Sequence, residues 1–298
     1  MYVDRTDLTR FANLRLSSPG HATALQQGDR RSPFRGRGVE FSDYRPYDPG
    51  DDVRLIDWNV YMRLGTAVVR QFAEERSLAM RVCLDVSESM AFSDGVRKAD
   101  HAAQLAAALA LVSLQHRDPY GLVCFGCDIP PPTVKATTLD GLVEVLHVLE
   151  GVEPGGTGVP HEQIARLIGP RRSDRIVLVS DLLMETAELD RTLKLVASLS
   201  TYPVVLHVLG QSELEPELGD AMKIVDAESG EELMVRDDAN AMRDYHDGLD
   251  RWIEDVQKRC AAARIRYVPT FTTVPVADLM TGELRKADLV EHIGGGVG

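Results

Sequence analysis

The run from Leu78 to Leu84 constrains this chain more than any other feature: it is apolar at every position but Arg81, and it ends on an acid, Asp85. A strand exposed on one face alternates apolar with polar residues. A continuous apolar run of this length belongs to a strand covered on both faces, as in a parallel sheet sandwiched between helices. The segments that follow keep the pattern. Val96–Gln115 places Ala102, Leu105, Ala106, Leu109 and Val112 at helical spacing. Tyr120–Phe125 reads as a strand; Leu139, Leu142, Val143, Leu146 and Leu149 mark a helix, and residues 160–168 another, with Pro160 in its first turn. Arg175–Ser180 reads as a central strand, Leu189, Leu193, Val196 and Ala197 as a helix, and Val204–Leu209 as a strand. A long helix over about 240–263 and a last strand at Ile265–Val268 close the series. The expectation is an α/β fold with a doubly wound, mostly parallel sheet and helices on both faces.

Around that core the chain divides into an N-terminal segment (1–33), a small β-rich subdomain (34–76), the main domain (77–285) and a C-terminal tail (286–298). The subdomain rests on the β-like runs Val39–Phe41, Val53–Trp58 and Ala67–Phe72, with the turn-forming stretch Tyr44–Asp52 between the first two. Within the main domain, residues 222–236 read as a hairpin with Ser229-Gly230 at its turn.

Composition removes several functions. The net charge of −13 argues against a strong nucleic-acid binder. Acidic excess concentrates in residues 211–258, with 15 acidic and 5 basic side chains, and reads as a solvated face or a partner surface. The longest apolar stretch, Ala102 to Leu114, falls short of the roughly 20 residues a membrane span requires. With no apolar leader in MYVDRTDLTR, the expectation is a soluble cytoplasmic protein. Cys83, Cys124, Cys127 and Cys260 suit a reducing compartment, and Cys124 and Cys127 lack the second pair a zinc site would need. The eight histidines show no His-Glu-x-x-His spacing and read as structural or surface residues. No phosphate-binding G-x-x-x-x-G-K-[ST] loop and no Gly-x-Ser-x-Gly elbow is present, so the chain is expected not to hydrolyse ATP and not to be an enzyme.

In an open parallel sheet, ligands gather beyond the carboxyl ends of the strands, at the point where the strand order reverses. The polar residues placed there are Asp85, Ser87 and Ser89 after the first core strand, and Asp181 after Ile176–Ser180; a glycine-rich loop, Gly155-Gly156-Thr157-Gly158, lies between them in the chain. The set is all oxygen, which suits a hard divalent cation such as Mg2+ or Mn2+. The bland alternative is turn formation and capping, which Ser and Asp commonly provide. Glu88 reads as a solvent-facing loop residue.

Taken together, Asp85, Ser87, Ser89, Thr157 and Asp181 resemble the metal-ion-dependent adhesion site of von Willebrand factor A domains, matching all five positions in order. A second resemblance is carried by Gly36–Phe41, Tyr44-Arg45, Tyr47, Gly50–Arg54, Ile56–Trp58, Val69-Arg70, Glu74 and Asp85–Met90: they are similar to the signature of the bacterial domain-of-unknown-function family fifty-eight, from about residue 30 to about 285. That resemblance implies a von Willebrand factor A-like fold and a metal-dependent adaptor that works with a MoxR-type AAA+ ATPase on a client protein. Ser87, Ser89 and Thr157 would touch the metal, and Asp85 and Asp181 would hold its waters. The competing readings are a phosphatase-like, metal-dependent hydrolase using Asp85, and a metal-free scaffold. Arg45, Asp51, Asp52, Arg54, Asp57 and Trp58 read either as a recognition surface or as an internal network of ion pairs and hydrogen bonds.

Overall fold

The computed structural model describes residues 9–17, 39–74, 78–93, 95–156, 158–170, 172–216, 222–225, 232–235 and 239–293. In chain order the strands are β1 (Leu14–Leu16), β2 (Val39–Pro46), β3 (Val68–Glu74), β4 (Met80–Asp85), β5 (Tyr120–Phe125), β6 (Val134–Ala136), β7 (Ser173–Ser180), β8 (Ser200–Leu209), β9 (Met222–Val225), β10 (Glu232–Val235), β11 (Arg266–Phe271) and β12 (Val290–His292). The helices are α1 (Trp58–Leu64), α2 (Lys98–Gln115), α3 (Leu142–Glu150), α4 (Pro160–Ile168), α5 (Thr186–Leu199), α6 (Gln211–Leu214), α7 (Ala239–Ala262), α8 (Val276–Thr281) and α9 (Glu283–Lys286).

Six strands make the main sheet, in the order β6-β5-β4-β7-β8-β11. All neighbours are parallel except the short edge strand β6, which runs antiparallel to β5. The chain starts in the middle, at β4, winds outwards through β5 and β6, then crosses back to β7 and winds the other way. The reversal therefore falls between β4 and β7.

Why β4 must be apolar throughout is visible in its two faces. Val82 and Leu84 pack into one core cluster with α2, while Cys83 between them faces a second cluster with α4, α5 and α7. The same alternation sends Val177 and Val179 of β7 one way and Ile176 and Leu178 the other. The period of two along a strand, with helices covering both sides, leaves no solvent face to mark with polar residues. The Ala-rich face of α2 fits the same logic: Ala102, Ala103, Ala106, Ala107 and Ala110 are all buried. Small side chains there let the helix lie close to the sheet.

The two ends of the chain meet, and one expectation about the subdomain changes. β1 pairs antiparallel with β12, Leu16 opposite Val290. Arg175 of β7 donates to the Leu289, Ser17 and Asp288 carbonyls, tying both ends to the base of the sheet. The Val53–Trp58 run is not a strand. Val53–Leu55 is a turn of 3-10 helix after Asp52, whose carboxylate accepts from the Arg54 N–H. Trp58 then opens α1, which Asp57 caps by accepting from the Asn59 and Val60 N–H groups. Gly65, at φ 69°, ends that helix in the left-handed conformation.

The chain separates into two compact units, one of Met1–Ala22 with Leu78–Gly298, the other Thr23–Ser77. Within the second unit β2 and β3 pair antiparallel, with α1 between them in the chain. Elsewhere β9 and β10 pair antiparallel, as the hairpin reading expected, while Ser229-Gly230 lies outside the described residues. Among the described residues no helix is long and apolar enough to cross a membrane.

Candidate metal centre

The reversal between β4 and β7 brings Asp85 and Asp181 to adjacent strand ends, both buried. Each carboxylate is held differently. The Ser87 N–H donates to Asp85 Oδ1 over 2.9 Å, and the Ser180 hydroxyl donates to Asp85 Oδ2 over 2.5 Å. Ser180 Oγ in turn accepts from the Leu182 N–H. Among the described residues, no cationic side chain pairs with Asp85. Burial, and then the charge of Asp181, push its pKa up to about 6, against the hydrogen bonds from Ser180 and Ser87 that favour the ionised form.

Asp181 has an opposite partner. Lys98, 1% exposed in its side chain, donates from Nζ to Asp181 Oδ2 over 2.6 Å and to Glu213 Oε1 over 2.6 Å. Burial alone would lower the Lys98 pKa; the charges of Asp181 and Glu213 outweigh it, and the net displacement is upward. Asp181 Oδ1 accepts from the Leu183 N–H, and its backbone carbonyl accepts from His207 Nε2. His207 Nδ1 is in turn the acceptor of the Tyr267 hydroxyl, which fixes the tautomer. Burial holds the pKa of His207 down to about 4, so the ring is neutral. Between Asp181 and Leu183, Leu182 adopts φ 57°, a conformation β-carbon residues rarely take, and one that turns the chain sharply beside the site.

Ser87 and Ser89 face each other with hydroxyl oxygens 3.1 Å apart. The capping alternative does not account for Ser87: it precedes the short 3-10 turn Glu88–Ala91, but its side chain makes no capping hydrogen bond. The two hydroxyls hydrogen-bond to each other, and that separation also lies close to the roughly 3.0 Å between adjacent ligands of an octahedral Mg2+ at about 2.1 Å per bond. Glu88 is exposed, as expected.

Thr157 lies outside the described residues, but its loop is anchored to the same place. The Gly155 N–H donates to the Val86 carbonyl and the Gly158 N–H to the Gly126 carbonyl. Gln163 of α4 holds the arrangement from behind, accepting from the Gly126 N–H and donating to the Cys127 carbonyl. Gly126, at φ 89°, is required: a Cβ there would stand 2.8 Å from Asp85 Oδ1 and 3.0 Å from the Ser87 nitrogen. Gly156 and Gly158, on either side of Thr157, line a cavity of about 520 Å³ together with Asp85, Ser87, Gly126 and Leu183.

The donors present fit a hard cation in part. Two hydroxyls and a buried carboxylate without a counter-charge converge, and a second carboxylate is already neutralised by Lys98. Among the described residues no group of three or more His, Cys, Asp or Glu side chains gathers as a ligand set. Lys98, Ser180 and Glu213 are the site residues that sequence reasoning missed. Ser180 stands one position before a recognised acid and was within reach. Lys98 and Glu213 lie 83 residues before and 32 after Asp181, and no local pattern links them.

The other candidate residues form a separate set in the second unit. Arg45 makes a bidentate pair with Asp51 at 2.7 and 2.6 Å, and the Tyr44 hydroxyl donates to Asp57 Oδ2 over 2.8 Å. With Asp52 and Asp57 capping, these side chains bond within their own unit. Trp58 differs, being 58% exposed. The four cysteines are free and buried, and among the described histidines, His161 pairs with Glu188 at 2.7 Å.

A family profile described as "Protein of unknown function DUF58" matches residues 43–251. Uncharacterized proteins of Mycobacterium tuberculosis and Mycobacterium bovis are 28% identical over 275 residues, spanning 89% of this chain and 82% of theirs. Among solved structures, BatB from Bacteroides thetaiotaomicron is 14% identical, with 70% of this chain and 98% of that one covered at a TM-score of 0.43. A von Willebrand factor type A protein from Catenulispora acidiphila is 11% identical, covering 48% of this chain and 35% of that one at a TM-score of 0.34. These last likenesses are too distant to carry the fold, which stands on the strand order above.

Proposed function

The chain belongs to the DUF58 family of proteins of unknown function, and from that premise we propose that it is a metal-dependent protein–protein interaction module acting with a MoxR-type AAA+ ATPase on a client protein. The observation that carries the reading is Asp85: a buried carboxylate, held by neutral donors, with no cationic partner among the described residues, beside two hydroxyls at ligand spacing. Ser87, Ser89 and Thr157 would hold Mg2+ or Mn2+ through their hydroxyls, and Asp85 and Asp181 would orient its coordinated waters. Bound there, the cation supplies an electron-poor point that accepts a carboxylate from the partner. Asp181, already bonded to Lys98, adds less negative charge to the shell than a free carboxylate would, which keeps the cation hungry for an outside ligand.

Against the competing hydrolase reading stands the position two residues after Asp85, where an acid would serve a phosphatase and this chain has Ser87; the His161–Glu188 pair lines the same cavity, so the two readings are separated by experiment. The test is binding of the purified chain to a MoxR-type AAA+ ATPase from the same organism. We expect a complex that a chelator releases and that Asp85→Ala weakens at least tenfold. Equal affinity for parent and variant, with or without magnesium, contradicts the reading. Turnover of a generic phosphate ester that disappears in Asp85→Asn would replace it with the hydrolase.

A further inference from the structure

Gly248 sits in the interior of α7, a helix of 24 residues. Glycine weakens a helix interior relative to alanine, so its place there calls for a reason. Crowding is not the reason: a Cβ at Gly248 would meet nothing within 4 Å. What the missing side chain leaves is space. Gly248 lines a cavity of about 400 Å³ walled by Leu183, Leu209, Tyr245, Leu249 and Trp252. Three acids stand at its edge. Asp181 and Glu213 share the single positive charge of Lys98, whereas Asp244 is exposed and pairs with no cation among the described residues. Three lining acids against the single ammonium of Lys98 leave the surroundings of the cavity net negative.

We propose that this cavity is an anchor pocket that takes one large apolar side chain from a basic segment of a partner protein. The walls are apolar and aromatic, the chemistry of interface anchors. The charge around them selects a basic sequence by complementarity. The inference rests on the interaction-module reading and deepens it. Leu183 lines this cavity and also the polar cavity that holds Asp85 and Ser87. A partner therefore meets an apolar socket on one side of Leu183 and the cation site on the other.

The chain has two tryptophans, so its two indole N–H signals in a nitrogen-15 NMR spectrum serve as probe and internal control: Trp252 lines the cavity, and Trp58 belongs to the other unit. Three synthetic heptapeptides are titrated into the full chain. The first has a central phenylalanine flanked by serines, with two lysines at each end; the second replaces phenylalanine by alanine; the third replaces lysine by glutamate. We expect the first to shift the Trp252 signal saturably, and the other two to bind at least tenfold more weakly. Gly248→Leu should abolish the shift while leaving the Tm at or above the parent's. Should that variant fail to fold, Leu249→Ser carries the same expectation for binding. A chelator should change nothing, which separates this pocket from the cation: peptide binding without metal binding removes the metal reading and leaves the pocket standing. Undiminished binding in the cavity variants, equal affinity for the acidic peptide, loss of binding on chelation, or no saturable shift with any peptide overturns the proposal.

Discussion

The ends of β4 and β7 lie side by side and present the same kind of side chain, yet their two carboxylates sit in opposite electrostatic conditions. Asp181 meets an ammonium as buried as itself. Asp85 meets a backbone N–H and a hydroxyl, and its pKa is pushed up to about 6. Two buried negative charges so close would repel each other and resist burial. With Lys98 in place, only one remains without a counter-charge. The contrast teaches that the fold supplies a cation to one acid from within and, among the described residues, none to the other, the place that the proposed function gives to a cation from solution.

The largest effect should come from removing the internal cation. Lys98→Met leaves the buried Asp181 and the partly buried Glu213 without compensation and should cost about 3–5 kcal/mol of stability. Urea titration measures it. Added Mg2+ should raise the Tm of this variant more than that of the parent. A variant within about 1 kcal/mol of the parent would erase the contrast.

Crowding the other acid comes next. Gly126→Ala forces a Cβ against Asp85 Oδ1 at a left-handed φ, and should destabilise by about 1–3 kcal/mol while weakening Mg2+ binding. Full stability with undiminished metal affinity would mean that β5 and Asp85 are not coupled.

Asp85→Asn sharpens the comparison because its sign is reversed. In the metal-free protein the native Asp85 binds its proton near pH 6, and an unfolded aspartate near pH 4. Between these values the native state carries more protons, so the stability this group contributes falls as pH rises through that window and stays low above it. The asparagine variant should therefore be more stable than the metal-free parent by roughly 3 kcal/mol at pH 8, with the difference vanishing below pH 4. Denaturant titrations across that range check it; a difference that does not vary with pH would remove the raised pKa from the account. Metal affinity of the parent should fall as pH drops through 6, since the proton and the cation compete.

The smallest effect belongs to the other unit. Arg45→Lys loses the bidentate geometry to Asp51 at a partly exposed pair. Its stability loss should be smaller than any above and its Mg2+ affinity that of the parent. Altered affinity would show that the two units share the cation site.

Much of this was legible because burial writes plainly in a doubly covered sheet. β4, β5 and β7 are readable from apolar runs alone, and Asp85 and Asp181 from standing at their ends. Val53–Trp58 misled for the opposite reason: its apolar residues fit a strand, and the deciding signals were the capping acids Asp52 and Asp57 and the terminating Gly65. β6, β1 and β12 are three residues each, too short for a period to register. The Lys98–Asp181–Glu213 cluster was invisible because it joins three distant segments only after the chain has wound both ways from β4.

The central claim is a divalent cation held between Ser87, Ser89 and the two strand-end acids. Mn2+ is paramagnetic and broadens the NMR signals of nuclei near it. At substoichiometric Mn2+, the amide signals of Val86–Ser89, Gly126, Leu182 and Leu183 should broaden first, and excess Mg2+ should restore them. Broadening confined to the acidic residues of α7, with the Ser87 and Ser89 signals left sharp, would contradict the account.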